Sequence, residues 1–320
     1  MLLLTGATGL VGSALLRRLV GEGAQVRCLV RDPRRLGAQR VRVQIALGDL
    51  TDPPSFRNAL RGVQTVVHLA ASIRDQPRGS IEELNGIATW RMVEAAERLG
   101  AERFIFFSVL GASTHHRTRF FRAKALAERA VREARLHSTV FATSIVYAPG
   151  DPWLTLIERL ALLPLMPVSG SGRATYQPIW AEDVADCVIA CLRRGAGEDG
   201  RATETGVGEA QVASLPATLS EARADAHERY ELAGPDTLSQ NEIVRVVLAS
   251  FDRSRPLLHV PTPISSRTLR LLAAAMEPRA FATWDEAELM ESEMISTCGT
   301  RDVERLGVSP QSMRAVLGVG

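Results

Sequence analysis

Met1-Leu2-Leu3-Leu4-Thr5-Gly6-Ala7-Thr8-Gly9-Leu10-Val11-Gly12 is the stretch that decides the fold. Leu2 to Leu4 form a short apolar run of the kind found in strands buried on both faces. Three glycines follow at spacings of three, and from Ser13 to Val20 the apolar residues Ala14, Leu15, Leu16 and Leu19 recur with helical period. Gln25 to Val30 then reads as a second strand. Strand, glycine-rich turn, helix and strand, in that order, form the context in which a G-x-x-G-x-x-G pattern binds a dinucleotide. Gly6 lets the chain turn sharply after the strand, Gly9 lets the backbone approach a pyrophosphate, and Gly12 lets the helix pack close to the sheet. The helix N-terminus offers free N–H groups and the positive end of its dipole to the phosphates. Thr5, Gly6, Thr8, Gly9, Leu10, Val11 and Gly12 are therefore the expected phosphate-side residues.

Working outward, the end of the second strand selects between nicotinamide cofactors. A carboxylate there suits a ribose 2′-hydroxyl, and an arginine suits a 2′-phosphate. The sequence reads Val30-Arg31-Asp32-Pro33-Arg34-Arg35. Arg31 occupies the position that decides, with Arg34 and Arg35 near enough to complete a clamp on phosphate. A shift of one residue would present Asp32 instead. The expectation is NADP(H) in preference to NAD(H).

Strand and helix continue to alternate. Val41 to Leu47 reads as a third strand followed by Gly48-Asp49-Leu50. Thr65 to Ala71 reads as a fourth, ending in the small residues Ala70 and Ala71, which leave space for a ligand. Asp49 and Leu50 are expected beside an adenine ring, although Asp49 could equally cap the helix expected from Asp52 to Leu60. His68, inside the fourth strand, reads as a histidine with a satisfied structural partner. An amphipathic helix follows over 81–99, a fifth strand over 103–108, a helix over 120–135 and a sixth strand over 139–147. The fold class is α/β: a doubly wound parallel sheet, or Rossmann fold, with ligand at the carboxyl ends of its strands and a smaller C-terminal lobe. The expected division is 1–150, with 175–195 returning to it, and a lobe made of 151–174 and 196–320.

Of the 38 basic residues all are arginine except Lys124. An ammonium is a compact point charge and a guanidinium a broad fork, so a lone lysine in an arginine-only background marks a position that requires the smaller group. A net charge of +2 gives no reason to expect nucleic acid as a partner. Cys28, Cys187, Cys191 and Cys298 form no disulfide framework and no zinc knuckle. With the first strand starting at Met1 and no apolar run long enough to span a bilayer, a cytoplasmic protein is expected, with peripheral membrane contact left open. Trp153 to Val168 is apolar and contains Pro164 and Pro167. It reads as lobe core, as the wall of a site for a small hydrophobic ligand, or as a membrane-facing surface. Residues 195–229 read as a flexible excursion, and 267–276 as an amphipathic helix.

Together the glycine turn, Gly48-Asp49-Leu50, His68-Leu69-Ala70-Ala71, Asn85 and Lys124 resemble the short-chain dehydrogenase/reductase superfamily. Pro149-Gly150-Asp151, Gln177 to Ala185 and Tyr230 to Ile243 resemble the extended type, so the likeness covers almost the whole chain. It is similar to the atypical branch that includes the 39 kDa accessory subunit of respiratory complex I. The resemblance implies a Tyr-x-x-x-Lys pair, in which the phenol moves a proton at the substrate oxygen and the lysine binds the nicotinamide ribose. Four residues before Lys124 stands Phe120, which has no ionisable group. The serine that the family places after the fifth strand corresponds to Ser108, or by register to Val109. His115, His116 and Tyr147 are substitute proton donors to consider. Three functional classes follow. The first is a cofactor-binding, redox-sensing or accessory protein, for which a protein partner is plausible. The second is an NADPH-dependent oxidoreductase acting on a quinone-like or other activated acceptor. The third, disfavoured by Phe120, is a nucleotide-sugar epimerase or dehydratase.

Overall fold

Leu2–Thr5 (β1), Val26–Val30 (β2), Gln44–Leu47 (β3), Thr65–His68 (β4), Arg103–Val109 (β5) and His137–Thr143 (β6) are the first six strands of a computed structural model, which describes residues 1–203, 227–261 and 289–319. Four short strands follow: Val146–Tyr147 (β7), Met166–Ser169 (β8), Thr175–Tyr176 (β9) and Ile179–Trp180 (β10). His227–Leu232 (β11) is next, then Leu238–Ser239 (β12) and Leu257–Val260 (β13). The main sheet has seven strands in the order β11-β6-β5-β4-β1-β2-β3, and every pairing in it is parallel. The chain starts in the middle of the sheet, so the strand order reverses between β1 and β4, where a parallel sheet opens a crevice at its carboxyl edge.

Alternation along β1 explains the two layers. Leu2 and Leu4 join a core with Leu15, Leu16 and Leu19 of helix α1 (Leu10–Gly21) and with Val184, Ala185 and Val188 of helix α6 (Ala181–Thr203). Leu3 points the other way, into a core with Phe56, Met92, Phe104 and Phe106. That second core is covered by helices α2 (Pro53–Arg57), α3 (Ala88–Arg98) and α4 (Arg119–Glu133). Phe104 and Phe106 are fully buried, each stabilising the sheet by about 1.5–3 kcal/mol. Arg18 in α1 bonds both Glu182 and Asp186 in α6, tying together the two helices of one layer.

A third core lies beyond the sheet edge, around Tyr147, Tyr176, Met166 and Val168. It draws on helix α5 (Pro152–Leu160), the short pairs β7–β10, β8–β13 and β9–β12, and the helix Gln240–Ala249. Leu154 and Ile157 are buried there, as lobe core requires, whereas Leu162, Leu163 and Leu165 of the same apolar run remain exposed.

Several expected elements are placed differently. The strand His227–Leu232, assigned by sequence to the smaller lobe along with the rest of 196–320, instead extends the main sheet against β6. Strand β3 starts at Gln44, because Pro33–Val41 forms a 3-10 stretch broken at Gly37, whose φ of 58° no helix continues. The expected 139–147 strand is two strands, β6 and β7. Between them the Ser144 amide bonds Leu232 and its hydroxyl bonds Met294. The start of the 81–99 helix is a π-helical turn, Glu83–Ile87, carrying Asn85. The excursion at 195–229 is helical as far as Thr203 and is strand from His227, and its residues 204–226 lie outside the described residues, as does the helix expected at 267–276.

Candidate functional site

A cleft of about 490 Å³ opens at the carboxyl ends of β1, β2 and β4. Its floor is the glycine turn. Gly6 has φ of +73°, and a Cβ there would lie 2.6 Å from the Ala70 amide nitrogen, so only glycine both turns and lets β4 pass so close. Gly12 is still more constrained, since its Cβ would fall 2.1 Å from the Gly6 carbonyl oxygen. Its packing requirement is thus against the turn itself and not against the sheet. A Cβ on Gly9 would meet only the Gly6 oxygen, at 3.3 Å, so what glycine preserves at this exposed position is open space above the turn. Gly9 is the N-cap of α1 and has no side chain to cap it, which leaves the first amides of the helix for a ligand.

The cleft gathers Thr5, Gly6, Thr8, Gly9, Arg31, Arg35, Asp49, Leu50, Ala70 and Ala71 from widely separated parts of the sequence. Leu10, Val11 and Gly12 lie just behind, in the first turn of α1. Arg34 is not part of the lining. Asp32 does line the cleft, but its Oδ1 accepts the Arg34 amide at 3.0 Å and caps the 3-10 stretch. Asp49 does not cap α2, whose N-cap is Asp52. Its Oδ1 accepts the Thr51 amide and hydroxyl, while its Oδ2, without a hydrogen bond, faces the Arg78 guanidinium at 3.8 Å. Ser72, Gln76 and Leu84 complete the wall. Ser72 and Gln76 escape the sequence reading because they lie in a loop whose one glycine, Gly79, belongs to no repeated motif, and Leu84 because it lies inside a π-helical turn.

Lys124 is placed elsewhere. It lies on α4, is 4% exposed, and donates from Nζ to the Phe107 carbonyl oxygen at 2.6 Å. The ammonium sits 4.8 Å from the centre of the Phe106 ring and 5.7 Å from that of Phe120, a cation–π arrangement on two sides. Burial pushes the Lys124 amine down to about 7, against the pull of Glu128 one turn along the helix. Ser108 is inside β5 and opposite Ala142, with its hydroxyl buried and unpartnered. Neither Lys124 nor Ser108 lines the cleft.

The other proton donors are accounted for in part. His115 is exposed. The His116 ring stacks on Phe121 with centroids 4.2 Å apart, and its Nδ1 accepts the Thr118 amide at 3.1 Å. Burial first, then Arg117 and Arg122, lower the affinity of His116 for a proton. Tyr147 is fully buried in the lobe core, where burial and then Asp183 and Asp236 hold its phenol well above the usual range. A second cavity, of about 400 Å³, is lined by Arg117, Arg173, Glu291 and Glu293 among others. Among the described residues no group of histidine, cysteine and carboxylate side chains is arranged to hold a metal, and no helix is long and apolar enough to cross a membrane.

Comparisons with known proteins agree with this geometry. The family described as NAD(P)H-binding matches residues 6–194. The mitochondrial NADH dehydrogenase (ubiquinone) 1 alpha subcomplex subunit 9 of Arabidopsis thaliana is 28% identical over 271 residues, 81% of this chain and 60% of the relative. Ceramide reductase of Caulobacter vibrioides is 31% identical over 192 residues, 59% of this chain and 60% of the relative. The matched region thus spans less than two thirds of either relative's length. A nucleoside-diphosphate-sugar epimerase from Staphylococcus aureus superposes over 99% of both chains with a TM-score of 0.69 at 17% identity, which is a likeness of fold.

Proposed function

The chain belongs to the NAD(P)H-binding family, and from that premise we propose that it binds NADP(H) in the cleft at β1 and β4 and does not reduce ordinary carbonyl compounds. The observation that carries this reading is on α4. By the family resemblance Phe120 takes the place of the usual proton donor, and among the described residues the Lys124 ammonium donates to the Phe107 carbonyl alone. A hydride can leave a reduced nicotinamide for a ketone only if a proton reaches the oxygen, and no side chain at that position supplies one. Bound nucleotide then acts through the fold, as a stabilising or redox-sensing ligand. The kinship with a subunit of a respiratory complex supports an accessory role with a protein partner, including one at a membrane surface.

Preference for the 2′-phosphate is supported by charge. Arg31 and Arg35 line the cleft, and no ion pair to either occurs among the described residues. The carboxylate next to Arg31 in the chain, Asp32, is engaged in capping. In this reading the phosphates lie over Gly6, Thr8 and Gly9, the nicotinamide end passes Thr5, Ala70 and Ala71, and Asp49 with Leu50 receives the adenine.

Retention of Lys124 and the likeness to a reductase favour a second reading. Hydride transfer to a quinone-like acceptor, which stabilises charge on its own ring, makes smaller demands on a protein acid. The smaller lobe, built from 151–174 and much of the chain beyond 232, would present such an acceptor. Epimerase or dehydratase chemistry is the least supported, since it needs the missing phenol. Identifying the nucleotide that accompanies the purified protein tests the first reading. NADP(H) is expected, and NAD(H) or no nucleotide would count against it.

A further inference from the structure

His68 closes β4 and has no exposed surface, yet both ring nitrogens are engaged. Nδ1 lies 2.9 Å from the Thr5 hydroxyl and Nε2 lies 3.2 Å from the Thr89 hydroxyl. The ends of this chain of bonds fix its direction. The Thr89 hydroxyl lies 2.8 Å from the Asn85 carbonyl oxygen, which can only accept, so its proton is committed there. Nε2 must then carry the hydrogen and donate to Thr89. Nδ1 is left to accept, so the Thr5 hydroxyl donates to it. The Thr5 oxygen in turn receives the Ala70 amide, at 3.4 Å. The run from Ala70 through Thr5, His68 and Thr89 to Asn85 therefore fits a neutral imidazole in one tautomer. Burial first, and then the nearby Lys124 charge, hold the ring neutral, with its pKa lowered to about 3.

The position of this run matters. Thr5, which ends β1, and Ala70, two residues past the end of β4, both line the cleft where the strand order reverses. Strand pairing ties β1 to β4 as far as Thr5 and His68, the Leu69 amide still bonds the Thr5 carbonyl at 3.3 Å, and just beyond it Gly6 and Ala70 lie in backbone contact on the floor of the cleft. The bonds through Thr5 act at this contact. At the far end, the Asn85 side chain accepts the Ser72 amide and donates to the Ser72 carbonyl, gripping a further wall residue. We propose that His68 is a positioning residue for the nucleotide: through Thr5 it holds the Ala70 amide, and the glycine turn packed against it, in the place the cofactor requires. This rests on the nucleotide-binding reading above.

The two sides of the ring can be tested separately. His68→Asn puts an amide close to the place of Nδ1 and keeps the Thr5 contact, whereas His68→Gln reaches towards Thr89 and leaves Thr5 unheld. Melting temperature and NADPH affinity are measured on the full chain. Similar losses of stability are expected in both variants. The Kd for NADPH should rise about tenfold in the Gln variant, as for one lost hydrogen bond, and much less in the Asn variant. Equal changes in Kd, or none in either, would overturn the proposal. Native protein that binds neither NADPH nor NADH would instead remove the reading beneath it, and that result is visible before any variant is made. If a variant does not fold, the nitrogen chemical shifts of the His68 ring in the native protein decide. A protonated Nε2 and a bare Nδ1 are expected, and the reverse would refute the assigned direction.

Discussion

The glycine turn and helix α4 face different demands, and the chain meets them differently. At the turn, backbone does the work: Gly6 and Gly12 sit where a single added carbon would overlap main-chain atoms, at 2.6 and 2.1 Å. On α4, side chains would have to act, and there Phe120 and a buried Lys124 lie close together. Binding a dinucleotide and reacting it are thus separable in this fold. The first needs a turn that only glycine allows, and the second needs an ionisable group at one position.

The sharpest way to break the comparison is at the turn. Gly12→Val should give the largest effect, with loss of nucleotide binding and of the folded state, because the clash is with the Gly6 carbonyl and Ala7. Gly9→Val should abolish nucleotide binding while leaving the melting temperature of the nucleotide-free protein near native, since its side chain enters open cleft. Thermal melts with and without NADPH distinguish the two. If Gly9→Val bound normally, the nucleotide would lie elsewhere.

Lys124→Met sharpens the other side. Lys124 has an ordinary value of 10.5 in the unfolded chain and is lowered to about 7 in the fold. Between these values the unfolded state holds a proton the native state lacks, so this group makes stability rise with pH across that window. The methionine variant should therefore be more stable than native near pH 7, and its advantage should shrink as pH approaches 10.5. NADPH binding should weaken by ~1–2 kcal/mol if the ammonium meets the ribose, and Lys124→Arg should not restore it. A variant with unchanged affinity would assign Lys124 to the core alone.

How much of this was legible differs between the same two regions. The turn was readable because its constraint is local: three glycines, a strand and a helix are contiguous. The place of the edge strand β11 was not, because its partner β6 lies some ninety residues earlier, with β7 to β10 and the helices α5 and α6 between them. Phe120 and Lys124 share a helix, so their proximity could be read from spacing. The removal of Lys124 towards Phe107 could not, since that depends on how α4 packs on β5. His68 was expected to have a satisfied partner, but that its partners would be Thr5 and Thr89 is a property of the folded sheet.

Smaller effects concern specificity and rescue. Arg31→Ala should lower NADPH affinity by about tenfold, the usual effect of one lost charge-assisted bond, and leave NADH affinity nearly unchanged. Equal native affinity for the two cofactors would refute the arginine clamp. Phe120→Tyr restores a phenol one turn from Lys124 and is expected to confer weak carbonyl reduction, the smallest gain of the set.

The most direct measurement mixes native protein, NADPH and an unactivated ketone, following nucleotide fluorescence for binding and absorbance for oxidation in the same sample. The account predicts a fluorescence change on binding, with NADPH oxidised no faster than in buffer. Protein-dependent oxidation of NADPH by the ketone would contradict it, and would require a proton donor other than residue 120.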